Sequence, residues 1–598
     1  MLHERVVQLW RFAKYGLPLA RMRPESARTI ADVIEEQATA RGKHPFVTFE
    51  GRSVSYHEYN RAANRVAHWA IAHGIGRGER VALLMQNRPE FLETWAGLAK
   101  VGATSALINV NLAGRALEHA IATADAKHLI VGSECLDSLA TLDGVMPWKV
   151  WVASDPGTES NVPPQGAHDL TSDLATRPSA NPPATARAGG RAGDDLFYIY
   201  TSGTTGLPKA ARFSHLKFMS TGTAARLAGF APSDVMYCAL PLYHSAGGAM
   251  AVGCVLLSGA TLALRRRFSA REFWSDVRNS RATSFQYIGE FCRYLLNQPP
   301  DPRDGEHRLS FCIGNGLRPD IWEPFRDRFR IPRIVEFYGA TEGNVAMLNL
   351  DNKVGSVGRI PSKLLMDARL VRYDVERDEH LRSADGRLVE CAAGEVGELV
   401  GALPRREGDN RGRFEGYTSK EATERKILRN AFEDGDSYFR TGDLLKQDAQ
   451  GYYYFVDRIG DTFRWKGENV STQEVAEAVS AYPGVEVANV YGVEVPGGDG
   501  RAGMVALVLA DPKGFDARAF YAHVVLALPS YAVPVFLRLQ LEAEVTGTFK
   551  LRKVELQREG WDPAKLEDPL FVRDDAARAY VPLDARLHSA VSAGEIRL

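Results

Sequence analysis

Arg80-Val81-Ala82-Leu83-Leu84-Met85 is followed by a helical pattern from Glu90 to Lys100, then Ser105 to Val110, a second helical pattern from Arg115 to Ala124, and His128 to Val131. Strand, helix, strand, helix, strand predicts a mostly parallel sheet covered by helices on both faces, an α/β class of fold. The alternation resumes downstream: Met236 to Leu240, helical Gly248 to Leu257, Thr261 to Leu264, helical Ala270 to Asn279, Thr283 to Ile288, Leu309 to Ile313 and Ile334 to Tyr338. Open sheets of this kind bind ligands at the carboxyl ends of their strands, so the residues that follow these runs are where chemistry is expected.

At 598 residues the chain exceeds one core, and about 100 to 200 residues per domain predicts several lobes. Gly394 to Val400 and Tyr452 to Val456 read as antiparallel strands of a smaller sheet or barrel. The expected boundary is Asp457-Arg458-Ile459-Gly460-Asp461, giving a large domain over 1–458 with doubly wound sheets and a small mobile α+β domain over 459–598, hinged near Gly460. The small lobe has its own helical pattern near Gln473 to Ala481 and strand-like Val485 to Val493 and Met504 to Leu509. Pro156 to Gly193, rich in Ala, Pro, Ser and Gly, reads as a loose surface connection.

Charge excludes one large class of partner. With 73 basic and 74 acidic residues the net charge is −1, so no overall basic field recruits nucleic acid. The six cysteines, Cys135, Cys238, Cys254, Cys292, Cys312 and Cys391, show no Cys-x-x-Cys spacing and read as reduced core thiols of a cytoplasmic protein without a metal cluster. Val235 to Leu264 holds no Asp, Glu, Lys or Arg, yet Pro241, His244, Gly247, Gly248, Gly253, Ser258 and Gly259 break it into strand, turn, helix and strand, the pattern of a buried core rather than a membrane span. Residues 5–23 differ. Val6, Leu9, Trp10, Ala13 and Leu17 fall on one helical face while Arg5, Arg11, Lys14, Arg21 and Arg23 add positive charge. Such a helix suits peripheral contact with the anionic inner face of the cell membrane and equally suits docking on the protein's own body; both readings stay open.

Tyr200-Thr201-Ser202-Gly203-Thr204-Thr205-Gly206-Leu207-Pro208-Lys209 directly follows the apolar run Leu196 to Ile199. It reads as a polyphosphate grip: glycines let backbone N–H groups close on phosphate oxygens, hydroxyls add short donors, and Lys209 supplies a point charge. The Walker A spacing of Gly, four residues, then Gly-Lys-Ser/Thr is not met, because Gly203 and Gly206 are three apart and Lys209 follows three later. This loop resembles the signature of adenylate-forming enzymes, the superfamily of acyl-CoA synthetases, firefly luciferase and peptide-synthetase adenylation domains.

Four further segments fit that resemblance in order. Leu240-Pro241-Leu242-Tyr243-His244 ends a strand, and the pattern places His244 near where the acyl carboxylate and α-phosphate meet; a lone histidine is more often structural, and only its place in the segment argues otherwise. Glu336-Phe337-Tyr338-Gly339-Ala340-Thr341-Glu342-Gly343 also ends a strand, and the resemblance gives Tyr338 the adenine face, Thr341 a phosphate oxygen and Glu342 the Mg²⁺, with the Thr201 hydroxyl as a second ligand. Mg²⁺ takes one or two protein oxygens and the rest from phosphate and water, which agrees. In Thr441-Gly442-Asp443, Asp443 suits the ribose hydroxyls, completed by Arg458. In Thr546-Gly547-Thr548-Phe549-Lys550 the resemblance makes Lys550 the mobile lysine bridging carboxylate and α-phosphate. Most members place glycine directly before that lysine; here Gly547 lies three residues earlier, which keeps Lys553 as the weaker candidate. Where relatives carry Asp or Lys at the hinge this chain has Gly460, Gly467 matches a tunnel-lining glycine, and Arg464 sits where a cation serves the thioester step.

Three phrases narrow the match: Val335 to Asn344, Gly460 to Val470, and Tyr287 to Pro299. They resemble the fatty acid transport protein or very-long-chain acyl-CoA synthetase branch, bacterial long-chain acyl-CoA ligases included, from about residue 30 onward and including Asp568 to Val572. The resemblance implies a long-chain fatty acid:CoA ligase using ATP, Mg²⁺ and coenzyme A. It leaves two alternatives: an acyl-adenylate ligase that loads a carrier protein, and a membrane-associated fatty acid uptake protein.

Overall fold

The computed structural model describes residues 2–142, 146–155, 163–201, 207–360, 366–375, 377–405, 412–546 and 551–596. The opening run forms the strand Arg80–Leu84, buried from Val81 onward, and the helix Pro89–Lys100 returns the chain to the parallel neighbour Thr104–Leu107. Among the described residues this sheet has seven strands, ordered His168–Asp169, Lys149–Ala153, His128–Gly132, Arg80–Leu84, Thr104–Leu107, Asp195–Thr201, Lys209–Ser214. All pair in parallel except the last, whose antiparallel register ends with Thr201 opposite Lys209.

A second sheet runs in parallel through Ile334–Gly339, Phe311–Asn315, Ser284–Ile288, Val235–Cys238, Thr261–Leu264 and Pro45–Phe49. Here the expectation of a separate smaller sheet is corrected. The strands Val396–Ala402, Ser437–Gln447 and Tyr452–Arg458 are antiparallel, but they continue edge to edge into the parallel block through Gly358–Arg359 and Ala346–Leu348, making one fourteen-strand sheet among the described residues. The join lies in one strand: Gly314 pairs with Glu336 in parallel, while Tyr338 pairs with Met347 antiparallel. Ile334–Gly339 therefore carries its second half out of the parallel block, and Tyr338 sits at that seam.

The helices Tyr56–Ala72, Pro89–Lys100, His215–Ala228 and Val252–Ser258 contribute with both sheets to one apolar cluster. Ser55 caps the first of these: its Oγ accepts from Glu58 N–H at 3.3 Å while the Glu58 carboxylate accepts from Ser55 N–H at 2.8 Å. The helices at 215 and 252 meet through glycine, since a Cβ on Gly222 would lie 2.5 Å from the Gly253 carbonyl carbon. Beyond residue 460, the helix Thr472–Ser480 and the sheet Val485–Glu494, Arg501–Leu509, Phe536–Gln540, Leu570–Asp574, Ala579–Pro582 enclose an apolar cluster of their own, from Phe463 to Val591.

Two further expectations change. Residues 163–193 are not loose: they contain the helix Leu170–Ala175 with Leu170 fully buried, and Arg187 is paired with Asp32 and Glu35. The N-terminal segment is α-helical over Leu2–Arg11 and Leu17–Ala20 but π-helical over Phe12–Gly16. The wider turn adds a residue and takes Ala13 and Leu17 out of phase with Val6, Leu9 and Trp10. Docking uses other residues, with the Arg226 guanidinium stacked 3.9 Å over the Tyr15 ring, and Val6, Leu9 and Trp10 stay more than half exposed. Among the described residues no helix is long and apolar enough to cross a membrane. All six cysteines are free, five of them buried, and burial pushes the Cys238 and Cys254 thiols up to about 12.

Candidate functional site

Ser202, Gly203, Thr204, Thr205, Gly206 and Lys550 lie outside the described residues. The two ends of the phosphate loop are placed. Thr201 closes one strand and Lys209 opens the next, and the two strands pair as an antiparallel hairpin. The outer strand of that hairpin recruits a distant segment: Arg212 N–H donates to Gly416 C=O and Thr418 N–H to Ala210 C=O, both at 3.0 Å. This bridge sets the Tyr417 hydroxyl beside Thr201, and Tyr417 Oη donates to Glu342 Oε1 at 2.6 Å. Burial, then the Glu342 charge, pushes the Tyr417 phenol well up, so it stays a donor at any working pH.

Glu342 is buried. The turn that carries it is held by Lys217, whose Nζ donates to Gly343 C=O at 2.7 Å. Burial lowers the Lys217 amine, while Glu415 and Glu342 pull the other way. Thr341 meets the His244 segment: its hydroxyl lies 3.2 Å from Ser245 Oγ. That segment is built on close backbone approach. A Cβ on Gly248 would lie 1.9 Å from Leu242 C=O, and one on Gly247 would lie 2.4 Å from Pro241 C=O. Asn87 holds the same turn, donating to Leu240 C=O at 2.9 Å and accepting from Leu242 N–H at 2.8 Å. His244 caps the following π-helical turn, with Nδ1 accepting from Ala246 N–H at 3.3 Å.

On the antiparallel side, Tyr338 Oη donates to Asp443 Oδ2 at 2.6 Å, and Arg458, opposite Asp443 in the strand register, brings Nε to 3.9 Å from Oδ1. Gly442 has φ +80, a left-handed value that glycine takes without cost, and its N–H donates to Glu398 Oε1 at 3.0 Å. Glu398 is fully buried and also accepts from Arg440 and His380, the latter at 2.6 Å. Ile459 N–H donates to Gly442 C=O at 3.0 Å, which ties the Gly460 segment to the Asp443 turn. At Gly460 an added Cβ would meet nothing within 4 Å. Arg464 and Gly467 lie on the hairpin Phe463–Trp465 and Glu468–Val470, whose turn uses left-handed Lys466 and Gly467, φ 50 and +83. Lys553 is engaged elsewhere: Nζ donates to Thr472 Oγ1 at 2.8 Å and lies 3.3 Å from Asp461. Beside it Asp457 accepts from Thr472 N–H at 2.6 Å and is held above the usual carboxylate range by burial, against the pull of Lys553.

The structure thus brings together Thr201, Thr341, Glu342 and the His244 turn on one side, and Tyr338, Asp443 and Arg458 on the other, joined by the segment 338–342. Among the described residues no group of three or more His, Cys, Asp or Glu side chains is placed to hold a metal. One buried carboxylate with a neighbouring hydroxyl is an all-oxygen, incomplete donor set, which fits Mg²⁺ completed by phosphate oxygens and water and does not fit zinc. Sequence reasoning missed Tyr417, Glu398, Lys217 and Ser245. Tyr417 lies in an irregular stretch with no periodic signal, and Glu398 reads as one acidic residue in a strand.

Residues 34–402 match the family described as AMP-binding enzyme. The chain is 39% identical over 598 residues to long-chain fatty acid transport protein 6 of Mus musculus, covering 99% of this chain and 95% of that one. It is 44% identical over 551 residues to long-chain fatty acid transport protein 1 of the same organism, covering 90% and 83%. Its fold superposes on the crystal structure of an anthranilate CoA ligase in complex with anthranoyl-AMP with a TM-score of 0.73 at 20% identity, covering 89% of this chain and 97% of that one.

Proposed function

The chain belongs to the AMP-binding enzymes, in the branch of the long-chain fatty acid transport proteins, and from that premise we propose that it is an ATP-dependent long-chain or very-long-chain fatty acid:CoA ligase that forms an acyl-adenylate and releases AMP and pyrophosphate. The observation that carries this reading is the meeting of Thr201, Tyr417 and Glu342 at the base of the loop hairpin, four residues along from the Tyr338–Asp443 pair.

In the first step a carboxylate oxygen attacks the α-phosphorus in line, the bond to the bridging oxygen breaks, and pyrophosphate leaves with the bonding pair. The carboxylate has no proton to lose, so the protein's part is positioning and neutralisation of spreading charge. The 202–206 loop and Thr341 hold phosphate oxygens, Lys209 and Lys550 supply positive charge, His244 stands at the carboxylate, Tyr338 lies on the adenine, and Asp443 with Arg458 holds the ribose hydroxyls. Thr201 and Glu342 would hold Mg²⁺, which when bound offsets phosphate charge. In the second step the thiol of coenzyme A attacks the acyl carbon, AMP leaves, and the thiol proton passes to solvent. Residues 459–598 turn about Gly460 between the steps and bring Arg464 and Gly467 to the thiol's approach. The separate apolar cluster of Phe463 to Val591 supports that division.

The test is isotopic. Fatty acid labelled with ¹⁸O should deliver one labelled oxygen to AMP, and purified protein with free coenzyme A should yield thioester. Labelled AMP without thioester would favour a carrier-loading ligase. The likeness to fatty acid transport proteins keeps an uptake protein in view; uptake that survives Lys550→Ala with no labelled AMP would favour it. Exposed Val6, Leu9 and Trp10, with Lys14 Nζ 4.6 Å over the Trp10 ring, support a cytoplasmic protein in peripheral contact with the inner membrane face. Replacing the three apolar residues by Ser should release the protein from anionic vesicles; undiminished binding would remove that contact.

A further inference from the structure

The buried carboxyl of Glu336 has no role in the steps above, yet it sits where three strands of the parallel sheet end. Its Oε1 accepts hydrogen bonds from the N–H groups of Gly316 and, at 3.2 Å, Leu317, which form the turn after Phe311–Asn315. Its Oε2 is hydrogen-bonded to the hydroxyl of Tyr287, the penultimate residue of Ser284–Ile288. Glu336 itself lies on Ile334–Gly339, two residues before Tyr338 and so on the same face of that strand. We propose that Glu336 is a positioning residue for the nucleotide site, its carboxyl pinning Tyr287, the Gly316–Leu317 turn and the strand that presents Tyr338 in one mutual geometry. This rests on the reading of Tyr338 as a nucleotide contact.

The groups it joins have little freedom to drift apart and re-form. A Cβ on Gly289 would lie 1.6 Å from Gly316 C=O, and one on Gly314 would lie 2.3 Å from Tyr287 C=O, so the ends of these two strands pack backbone on backbone. The titratable groups that face Glu336 are Tyr287, Cys292 and Cys312, each pushed well above its ordinary value by burial first. None supplies a positive charge. Burial accordingly pushes Glu336 up to about 8, against the three hydrogen bonds, so near neutrality the carboxyl holds its proton. In that form the carbonyl oxygen accepts from the two N–H groups while the hydroxyl donates to Tyr287 Oη. Ionised, the carboxylate keeps the N–H bonds, accepts a hydrogen bond from the Tyr287 hydroxyl instead of donating one, and places an unbalanced charge in the core.

Glutamine reproduces the neutral form: its oxygen takes both N–H bonds and its amide donates to Tyr287. Leucine leaves two N–H groups and a phenol unpaired. ATP affinity by calorimetry and acid-dependent pyrophosphate exchange, both from pH 6.5 to 9.5, should therefore separate the two variants. Glu336→Gln is expected to bind ATP within about threefold of the wild type at pH 7 and to stay level across pH 8, where the wild type weakens. Glu336→Leu should weaken ATP roughly tenfold or more, the scale of orphaned buried donors. A Glu336→Gln profile that bends like the wild type, or a folded Glu336→Leu with wild-type affinity, would overturn the proposal. Should Glu336→Leu fail to fold, Tyr287→Phe decides: it removes a bond that both forms make but that is stronger to the ionised carboxyl, so the break should move to higher pH, and an unmoved break counts against Glu336. A protonated-carboxyl infrared band at pH 7, missing in Glu336→Gln, reads the same group without catalysis. ATP binding without exchange by any acid would sink the ligase reading alone.

Discussion

Tyr338 Oη donates to Asp443 Oδ2 at 2.6 Å across a seam of the large sheet, one residue on the strand that leaves the parallel block and the other in an antiparallel strand 105 positions later. The bond fixes one carboxylate oxygen and leaves the far side of Asp443 to Arg458, at 3.9 Å. Tyr338→Phe should raise the KM for ATP about tenfold with little change in kcat, because a hydrogen bond to a charged group contributes about 1.5 to 3 kcal/mol. Steady-state AMP release against ATP concentration checks this, and a fall in kcat with unchanged KM would contradict it.

Tyr417 donates to Glu342 Oε1 at 2.6 Å. Tyr417→Phe removes an orienting bond from the proposed Mg²⁺ carboxylate, so the Mg²⁺ concentration for half-maximal activity should rise roughly tenfold, as for lost partners of metal ligands, and excess Mg²⁺ should restore the rate. A Mg²⁺ titration identical to the wild type would show that Tyr417 does not orient Glu342.

Burial alone raises Glu398, but His380 at 2.6 Å and Arg440 outweigh it and hold the carboxyl below its ordinary 4.5. A carboxyl depressed in the folded state adds stability that is fully present above the unfolded value and is lost as pH falls through the folded one. His380→Ala should therefore lower stability at pH 7 by about 1 to 3 kcal/mol and shrink the loss of Tm between pH 7 and pH 4. An unchanged Tm difference between those two pH values would refute the coupling.

Gly248→Ala would bring a methyl group to 1.9 Å from Leu242 C=O. The His244 turn must move, at a cost of about 1 to 3 kcal/mol. Adenylate formation should fall more than ATP affinity, because the turn faces Thr341 rather than the ribose side. Wild-type Tm and rate together would show that the turn relaxes freely.

Lys553 is bound to Thr472 and Asp461. Lys550→Ala should slow acid-dependent pyrophosphate exchange on the order of 10² to 10³, the scale of a lost electrostatic donor, whereas Lys553→Ala should leave exchange largely intact and slow thioester formation through a loosened hinge. The reverse pattern in exchange would make Lys553 the bridging lysine.

The helices and strands were legible because their signals are local. Apolar period and glycines and prolines at turns act over a few neighbours, and they placed the alternation from Arg80 to Tyr338, the apolar strand that leads into the 201–209 loop, and the helix and strands beyond residue 460; the strand Lys209–Ser214 that pairs back on it was not read from the sequence. The family resemblance, carried by motifs in order along the chain, singled out Thr201, Tyr338, Thr341, Glu342, Asp443 and Arg458 as the candidates. Local signals do not say which strand edge meets which. The antiparallel strands after residue 346 carry the same pattern whether they form their own sheet or extend the parallel one, and only the pairing of Tyr338 with Met347 and of Gly358 with Tyr453 decided it. Tyr417 reaches Glu342 across 75 positions, and Glu398 reaches Gly442 across 44. Such contacts form when chain closure and close packing bring buried polar groups to the few partners that satisfy them, a condition no window of sequence contains.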